Sequence, residues 1–518
     1  MKKPHHLAVV LAALALSIAL AQGFAAPRPA AVYGDNAVLQ RDVPLPVWGW
    51  ANPGETVRVS YGPLSASATA GPDGIWRAQL PPLSPGPAQD LIFESEGNGK
   101  AVSKNVLVGD VWLCSGQSNM AFSVGEAIKK QPDLDEIAAQ ATVPEIRQLR
   151  GSVHVTYPDK PRIETDAQWT PASPEAAKGF SEVSYLFARR LYDLYHVPQG
   201  IVVNAVAGTY IESWMSAEAL QSAGIYDDAQ KRWQQQSADY AQSKTAYAQA
   251  LQTWTAAKQK ADAAGQPFTD KAPASPKSPI GPSGCFNAMT APLVGFPLKG
   301  MIWYQGEQNI GLGLRYTPLL QALWGDLRTK WNQGPFPILY VQLPNLEANG
   351  ADRTEWAVLR QAQADAQQEP NVFMAVAIDL GTPKDIHPPD KREVAHRLTL
   401  LAEKEIYHED GLVARGPQLT GVAPADGGLQ LTFDAPVTLQ PPKTEGKSFE
   451  VAGDDRKFVL AQATPVEGKP QALSVRSDAL PHPRYVRYLW ANAPAAVVYG
   501  EARLPAAPFE AEVGMPGK

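Results

Sequence analysis

Two cysteines, Cys114 and Cys285, are all that this chain of 518 residues contains, too few to frame its fold with disulfides. The two can pair with each other, or Cys114, inside an apolar run, can stay a buried free thiol; neither has the setting of a nucleophile. Basic residues are not in excess either: 46 Lys and Arg stand against 52 Asp and Glu, for a formal net charge of -6. With no dense cationic patch along the chain, a phosphate-backbone partner is excluded. The eight histidines show neither HExxH spacing nor a Cys/His cluster, and no glycine-rich phosphate loop follows a strand. Neither metal nor cofactor is therefore implied. Beyond the N-terminus no apolar run is long enough to cross a bilayer.

What is present begins with an address. Lys2 and Lys3 precede an apolar run from Leu7 to Ala21, and small residues follow at Ala25 and Ala26. This is the pattern of a cleavable export signal over 1–26, which predicts a periplasmic or secreted protein with no membrane span after cleavage. The remaining length exceeds one hydrophobic core. Over 27–105, short alternating runs such as Thr56-Val57-Arg58-Val59-Ser60, separated by Pro/Gly turns, predict a β-sandwich-like module. Over 106–411 apolar strands alternate with helical patterns, the mark of an α/β domain whose parallel sheet is covered on both faces. From 412 to 518 the β pattern returns. Within the middle region, 226–263 predicts one long helix. Trp233, Tyr240, Tyr247 and Trp254 recur every seventh residue, and such a stripe is expected to pack on the α/β domain.

Five buried strands are predicted in the middle region: 106–114, 201–206, 300–303, 336–343 and 372–378. In open α/β sheets ligands bind beyond the carboxyl ends of the strands, so the residues that follow each strand carry the information. After the first comes Ser115-Gly116-Gln117-Ser118-Asn119, after the second Ala207-Gly208-Thr209, and after the third Gln305-Gly306-Glu307-Gln308-Asn309. Asp379 follows the fifth, with Asp385-Ile386-His387 close behind. A hydroxyl, a glycine backbone, carboxamides and an imidazole with a nearby carboxylate are the parts of an acyl-transfer site. The hydroxyl needs an adjacent base, and the oxyanion it creates needs fixed donors. A glycosidase would require a pair of carboxylates at a defined separation, and no partner for Glu307 is evident, so Glu307 is expected to brace its loop.

These blocks resemble the SGNH (GDSL-like) hydrolases, and within them the sialate O-acetylesterase-like carbohydrate acetylesterases. The resemblance rests on Gly116-Gln117-Ser118-Asn119-Met120, on Gly208-Thr209 with Glu212 and Trp214, on Trp303 to Asn309, and on Asp385-Ile386-His387-Pro388 with Lys391. It extends to Val38-Leu39-Gln40-Arg41, Trp48-Gly49-Trp50 and Leu504 to Phe509 in the flanking regions, and so covers nearly the whole mature chain. It implies a three-layer αβα catalytic domain with Ser118 as nucleophile, not its neighbour Ser115, and His387 as base. Asp385, two residues before the histidine, is the expected acid, and Asp379 is the alternative. The implied oxyanion hole is made by Ser118, Gly208 and a side-chain amide from Asn309 or Gln305.

The implied function is an exported serine esterase that removes acetyl groups from acetylated oligosaccharides or polysaccharides. Plant hemicellulose such as xyloglucan or xylan is favoured, and a sialate 9-O-acetylesterase is the alternative. A lipid or short-chain esterase and a non-catalytic carbohydrate-binding protein are rivals from other classes. The sequence leaves the oligomeric state open.

Overall fold

The computed structural model describes residues 26–151, 160–347, 350, 353–441 and 448–514; all but the last residue of the expected export signal lies outside them. The chain is a mixed α/β structure built on a central mixed sheet, with a separate antiparallel sheet near its C-terminus.

The N-terminal strands form two antiparallel sheets, one of Arg28–Pro29, Leu45–Trp50 and Ile75–Leu80, the other of Leu64–Thr69, Thr56–Tyr61 and Gln89–Ser95. In Thr56–Tyr61 the alternating residues Val57, Val59 and Tyr61 are buried, as a strand with one face on a core requires. Trp50 and Trp76 are also buried in this core, so these tryptophans pack the scaffold instead of forming an open platform. The next strand, Lys100–Gly116, is 17 residues long. Its first part pairs antiparallel with Gln89–Ser95, and its second part is the first strand of the central sheet. The expected boundary between 105 and 106 thus falls inside one continuous strand. Gln40 and Arg41 secure the join. The Gln40 Oε1 accepts the Val111 N–H at 2.8 Å, and Arg41 binds both oxygens of buried Asp110 at 2.9 and 3.1 Å.

The central sheet runs Gln168–Pro171, Ile146–Arg150, Gln199–Ala205, Lys100–Gly116, Gly300–Tyr304, Ile338–Val341, Val372–Ala375. All five expected strands are present and pair parallel, in the order second, first, third, fourth, fifth. Successive residues alternate between two hydrophobic cores: Val111 and Leu113 with Met301 and Trp303 on one face, Trp112 and Cys114 with Ile302 and Tyr304 on the other. Cys114 and Cys285 lie in these opposite cores as buried free thiols, which excludes the pairing alternative.

Near the C-terminus seven strands, from Leu419–Ala425 to Phe509–Glu512, make an antiparallel sheet with its own core, Thr438–Leu439 and Val498–Tyr499 pair apart from it, and Ile378 of the middle region is part of that core. Arg360 joins the two regions. Its fully buried guanidinium donates to the carbonyls of Leu343, Pro344, Ala491 and Asn492 at 2.7–2.9 Å, and burial draws it down to about 9.

The long helix forms over Tyr226–Ala263, but its aromatic stripe does not pack on the α/β domain. Ala229 is its one buried residue, and contact with the domain is confined to its start, where Arg232 bonds Glu212. At roughly 1.5 Å per residue the helix is about 57 Å long and outruns the domain that would cover it. Two of its residues, Trp254 and Trp233, meet the chain's own return instead. Trp254 meets Phe268 at 5.6 Å and donates to the Asp270 carbonyl, while Gly281 lies against Trp233.

Candidate active site

The strand Lys100–Gly116 is followed by the helix Ser118–Ala121, whose Met120 joins one core. The neighbouring strand Gly300–Tyr304 leads to the helix Tyr316–Trp331, whose Tyr316 and Leu320 join the other. Two adjacent strands whose chains leave towards opposite faces open a crevice at their carboxyl ends. At its base Gly116 has φ +143°, and a Cβ there would lie 2.2 Å from the Tyr304 carbonyl oxygen. Only glycine admits this approach. The Gln117 N–H donates to the same carbonyl at 3.1 Å, and the chain turns at once into the short helix with Ser118 as its first residue.

Ser118 and His387 line one cleft of about 700 Å3, together with Phe122, Lys130, Arg150 and Lys277. The His387 ring lies on that of Phe122, centroids 6.0 Å apart and planes 15° apart. Burial lowers the imidazole's pKa, and the ammonium groups of Lys130 and Lys391 lower it further.

Asp385 holds the main chain of the base. Its Oδ1 accepts the His387 N–H at 2.9 Å and its Oδ2 accepts Lys130 Nζ at 2.5 Å, while Lys130 also donates to the His387 carbonyl at 3.0 Å. Burial opposes the charge on Asp385, but Lys130 and the His387 N–H hold its carboxyl below the usual range. Asp379 is committed elsewhere, both its oxygens engaged by Arg397 at 2.6 and 2.9 Å.

Ala205, Val206 and Ala207 line the cleft, and Gly208, at φ +74°, follows them in the chain without lining it. The amides expected to reach the oxyanion are buried behind this loop and do not line the cleft. Gln305 Nε2 donates to the Thr209 carbonyl at 3.0 Å and to Asn309 Oδ1 at 2.7 Å, which uses both its protons. Asn309 Nδ2 donates to Glu212 Oε2 at 3.0 Å and its Oδ1 also accepts the Ile211 N–H. Glu307 braces its loop, as expected, by accepting Asn119 Nδ2 at 2.6 Å; burial raises its carboxyl above the ordinary value.

Sequence reasoning missed Asn119, Phe122, Lys130 and Glu182. Asn119 and Lys391 sit inside motif blocks, but nothing in their spacing indicates that they meet. Among the described residues, no group of three or more His, Cys, Asp or Glu is placed to hold a metal, and no helix is long and apolar enough to cross a membrane.

A serine and a histidine lining one cleft at the carboxyl edge of an α/β sheet suit an acyl-transfer hydrolase. Comparison with known proteins makes this specific. The family of carbohydrate esterases described as sialic acid-specific acetylesterases matches residues 108–261 and 285–399. The sialate O-acetylesterase of Mus musculus is 30% identical over 531 residues, covering 94% of this chain and 95% of its own. That of Homo sapiens is 29% identical, with 93% and 92% covered. A solved carbohydrate acetylesterase from Xanthomonas citri superposes with a TM-score of 0.77 at 30% identity, over 94% of this chain and 99% of that one. The chain belongs to the sialic acid-specific acetylesterase family of carbohydrate esterases, and it is an acetylesterase of the serine type.

Proposed function

We propose that Ser118 attacks the carbonyl of an acetyl ester on a sugar hydroxyl while His387 takes its proton and returns it to the leaving sugar oxygen. Water, activated by the same imidazole, then releases acetate. The observation that carries this reading is the shared cleft of Ser118 and His387 at the carboxyl edge of the sheet. Asp385 is the acid of the triad in this reading, holding the base through the His387 N–H. The main-chain N–H groups of Ser118 and Gly208 receive the oxyanion. In this reading Asn309 and Gln305, which do not line the cleft, support the Gly208 loop from behind through their bonds to Glu212, Ile211 and Thr209. The catalytic unit is a three-layer SGNH-type domain, and the protein is exported.

The substrate we favour is an acetylated acidic sugar. Among the described residues, Lys129, Arg150 and Lys277, with Lys130 paired to Asp385, line the cleft against Glu126, and this excess of cations suits a carboxylate-bearing sugar better than a neutral hemicellulose. The curated relatives are themselves named sialate O-acetylesterases. The test is acetate release from 9-O-acetylated sialic acid, acetylated xylan and acetylated xyloglucan, beside the Ser118→Ala protein. Release from the sialate that vanishes in the variant is the expected result. Preferential release from xylan or xyloglucan would restore the hemicellulose reading, and release that survives the substitution would overturn the site.

A further inference from the structure

Directly behind the cleft lies a cluster of polar side chains that the reaction above does not use. Asn119, Glu182, Glu307 and Lys391 come from four separate elements, and all are buried. Asn119, next in sequence to Ser118, is 0% exposed and its amide makes three bonds. Its Nδ2 donates to Glu307 Oε1 at 2.6 Å and to the Ile386 carbonyl at 3.0 Å, and its Oδ1 accepts Lys391 Nζ at 2.7 Å. Ile386 directly precedes His387. One amide therefore spans from the residue after the nucleophile to the residue before the base.

An amide of this kind can be turned end for end at little cost in shape, and its neighbours decide which way it faces. Lys391 has only protons to offer, so the amide oxygen must face it. The carboxylate of Glu307 accepts, so the amide nitrogen must face the other way. With both ends dictated, the second N–H of Asn119 has one direction left, which is the Ile386 carbonyl. Lys391 is itself held by its main-chain N–H on Glu182 Oε1 at 3.0 Å, and its ammonium lies between the rings of Phe122 and Tyr304 at 5.6 and 5.8 Å. A buried ammonium bonded to a neutral amide is costly, and an apolar residue of similar volume would fill the space with less penalty. Its position at the one atom that sets the amide's polarity supplies a reason for keeping it.

We infer that Asn119, oriented by Lys391 and Glu307, is a positioning residue that fixes the His387 loop relative to Ser118. The inference rests on the assignment of Ser118 and His387 as nucleophile and base. A misplacement of about 1 Å between reacting groups can cost roughly 100-fold in rate. The test is kcat per titrated active site, KM and the rate of inactivation by diisopropyl fluorophosphate in Asn119→Ala, Asn119→Asp and Lys391→Met. Asn119→Asp keeps the volume and serves if the alanine protein is not recovered folded.

The expected result is a fall in kcat of about 100-fold for either Asn119 variant and about tenfold for Lys391→Met. KM should stay within about twofold, and the inactivation rate should fall in parallel with kcat. A purely structural role would lower the yield of folded protein and leave kcat per active site intact, so values within about threefold of the parent would overturn the inference. Ser118→Ala run alongside separates the two levels. If that protein still releases acetate, the catalytic assignment itself fails. If it is silent while the Asn119 variants stay active, only the positioning role is lost.

Discussion

The imidazole of His387 rests nearly parallel on the ring of Phe122, centroids 6.0 Å apart. The same ring lies within reach of the ammonium groups of Lys130 and Lys391, at 5.4 and 5.6 Å. One flat, buried ring thus meets the base and two cations. Phe122→Leu keeps an apolar residue of similar size but removes the flat face. With such ring pairs contributing about 1 kcal/mol, kcat/KM is expected to fall roughly fivefold, measured on a small acetyl ester.

The pH profile should report the same neighbours. Because burial and two nearby cations lower the His387 pKa, its neutral, base-competent form persists to lower pH than in a free histidine. The acid limb of kcat/KM is expected below the ordinary histidine value of 6.5. Lys130→Met removes one cation and frees the Asp385 carboxylate from its partner, and both changes favour the protonated imidazole. The limb should move to higher pH in that variant, and a shift to lower pH would contradict the electrostatic account.

The two candidate acids separate by what they disturb. Asp385 holds the main chain of His387, so Asp385→Ala is expected to lower kcat by about 100-fold through misplacement of the base. Asp379 makes a bidentate pair with Arg397, and the two side chains are 14% and 6% exposed. Breaking a buried pair costs about 3 kcal/mol or more, so Asp379→Ala should lower the thermal midpoint and spare kcat of the folded protein. The reverse pattern would exchange their roles.

The cationic lining of the cleft predicts a dependence on ionic strength. KM for an anionic acetylated sugar should rise between low and physiological salt more than KM for a neutral ester. Lys129→Ala combined with Lys277→Ala should raise KM for the anionic sugar about fivefold, as expected for two exposed charges contributing about 0.5 kcal/mol each.

Much of this architecture is legible in the sequence where burial is apolar. The five parallel strands are runs of Val, Ile, Leu and aromatic residues, and each is present with its ends shifted by a few residues. The strand Ile146–Arg150 escapes such a reading because its buried positions include polar residues, and the edge strand Gln168–Pro171 because Trp169 is its one buried residue. Arg147 is buried against the carbonyls of Ala37 and Asn105, and Gln148 accepts the Ser181 N–H. These partners lie far away in sequence. The seven-residue spacing of Trp233, Tyr240, Tyr247 and Trp254 reveals the helix but not what covers it, because the covering segment is an irregular return with no periodicity of its own. For the site, Ser118 and His387 follow strands of the sheet in sequence, and both line one cleft. Asn119 and Lys391 are separated by 272 positions, and only folding shows that one orients the other.

The strand Lys100–Gly116 serves two sheets: its register shifts near Asn105, at φ +56°, where it passes from one to the other, and beyond that step Val111 to Cys114 alternate between the two cores. Loss or gain of a single residue between Val111 and Gly116 would turn every side chain on one side of the change to the wrong face, emptying one core or displacing the Ser118 turn. Turns and loops around this strand are free to vary in length, but the strand is not. The N-terminal β region accordingly cannot be cut out and replaced as a cassette: its last strand is the first strand of the catalytic sheet, and the two regions must be inherited together.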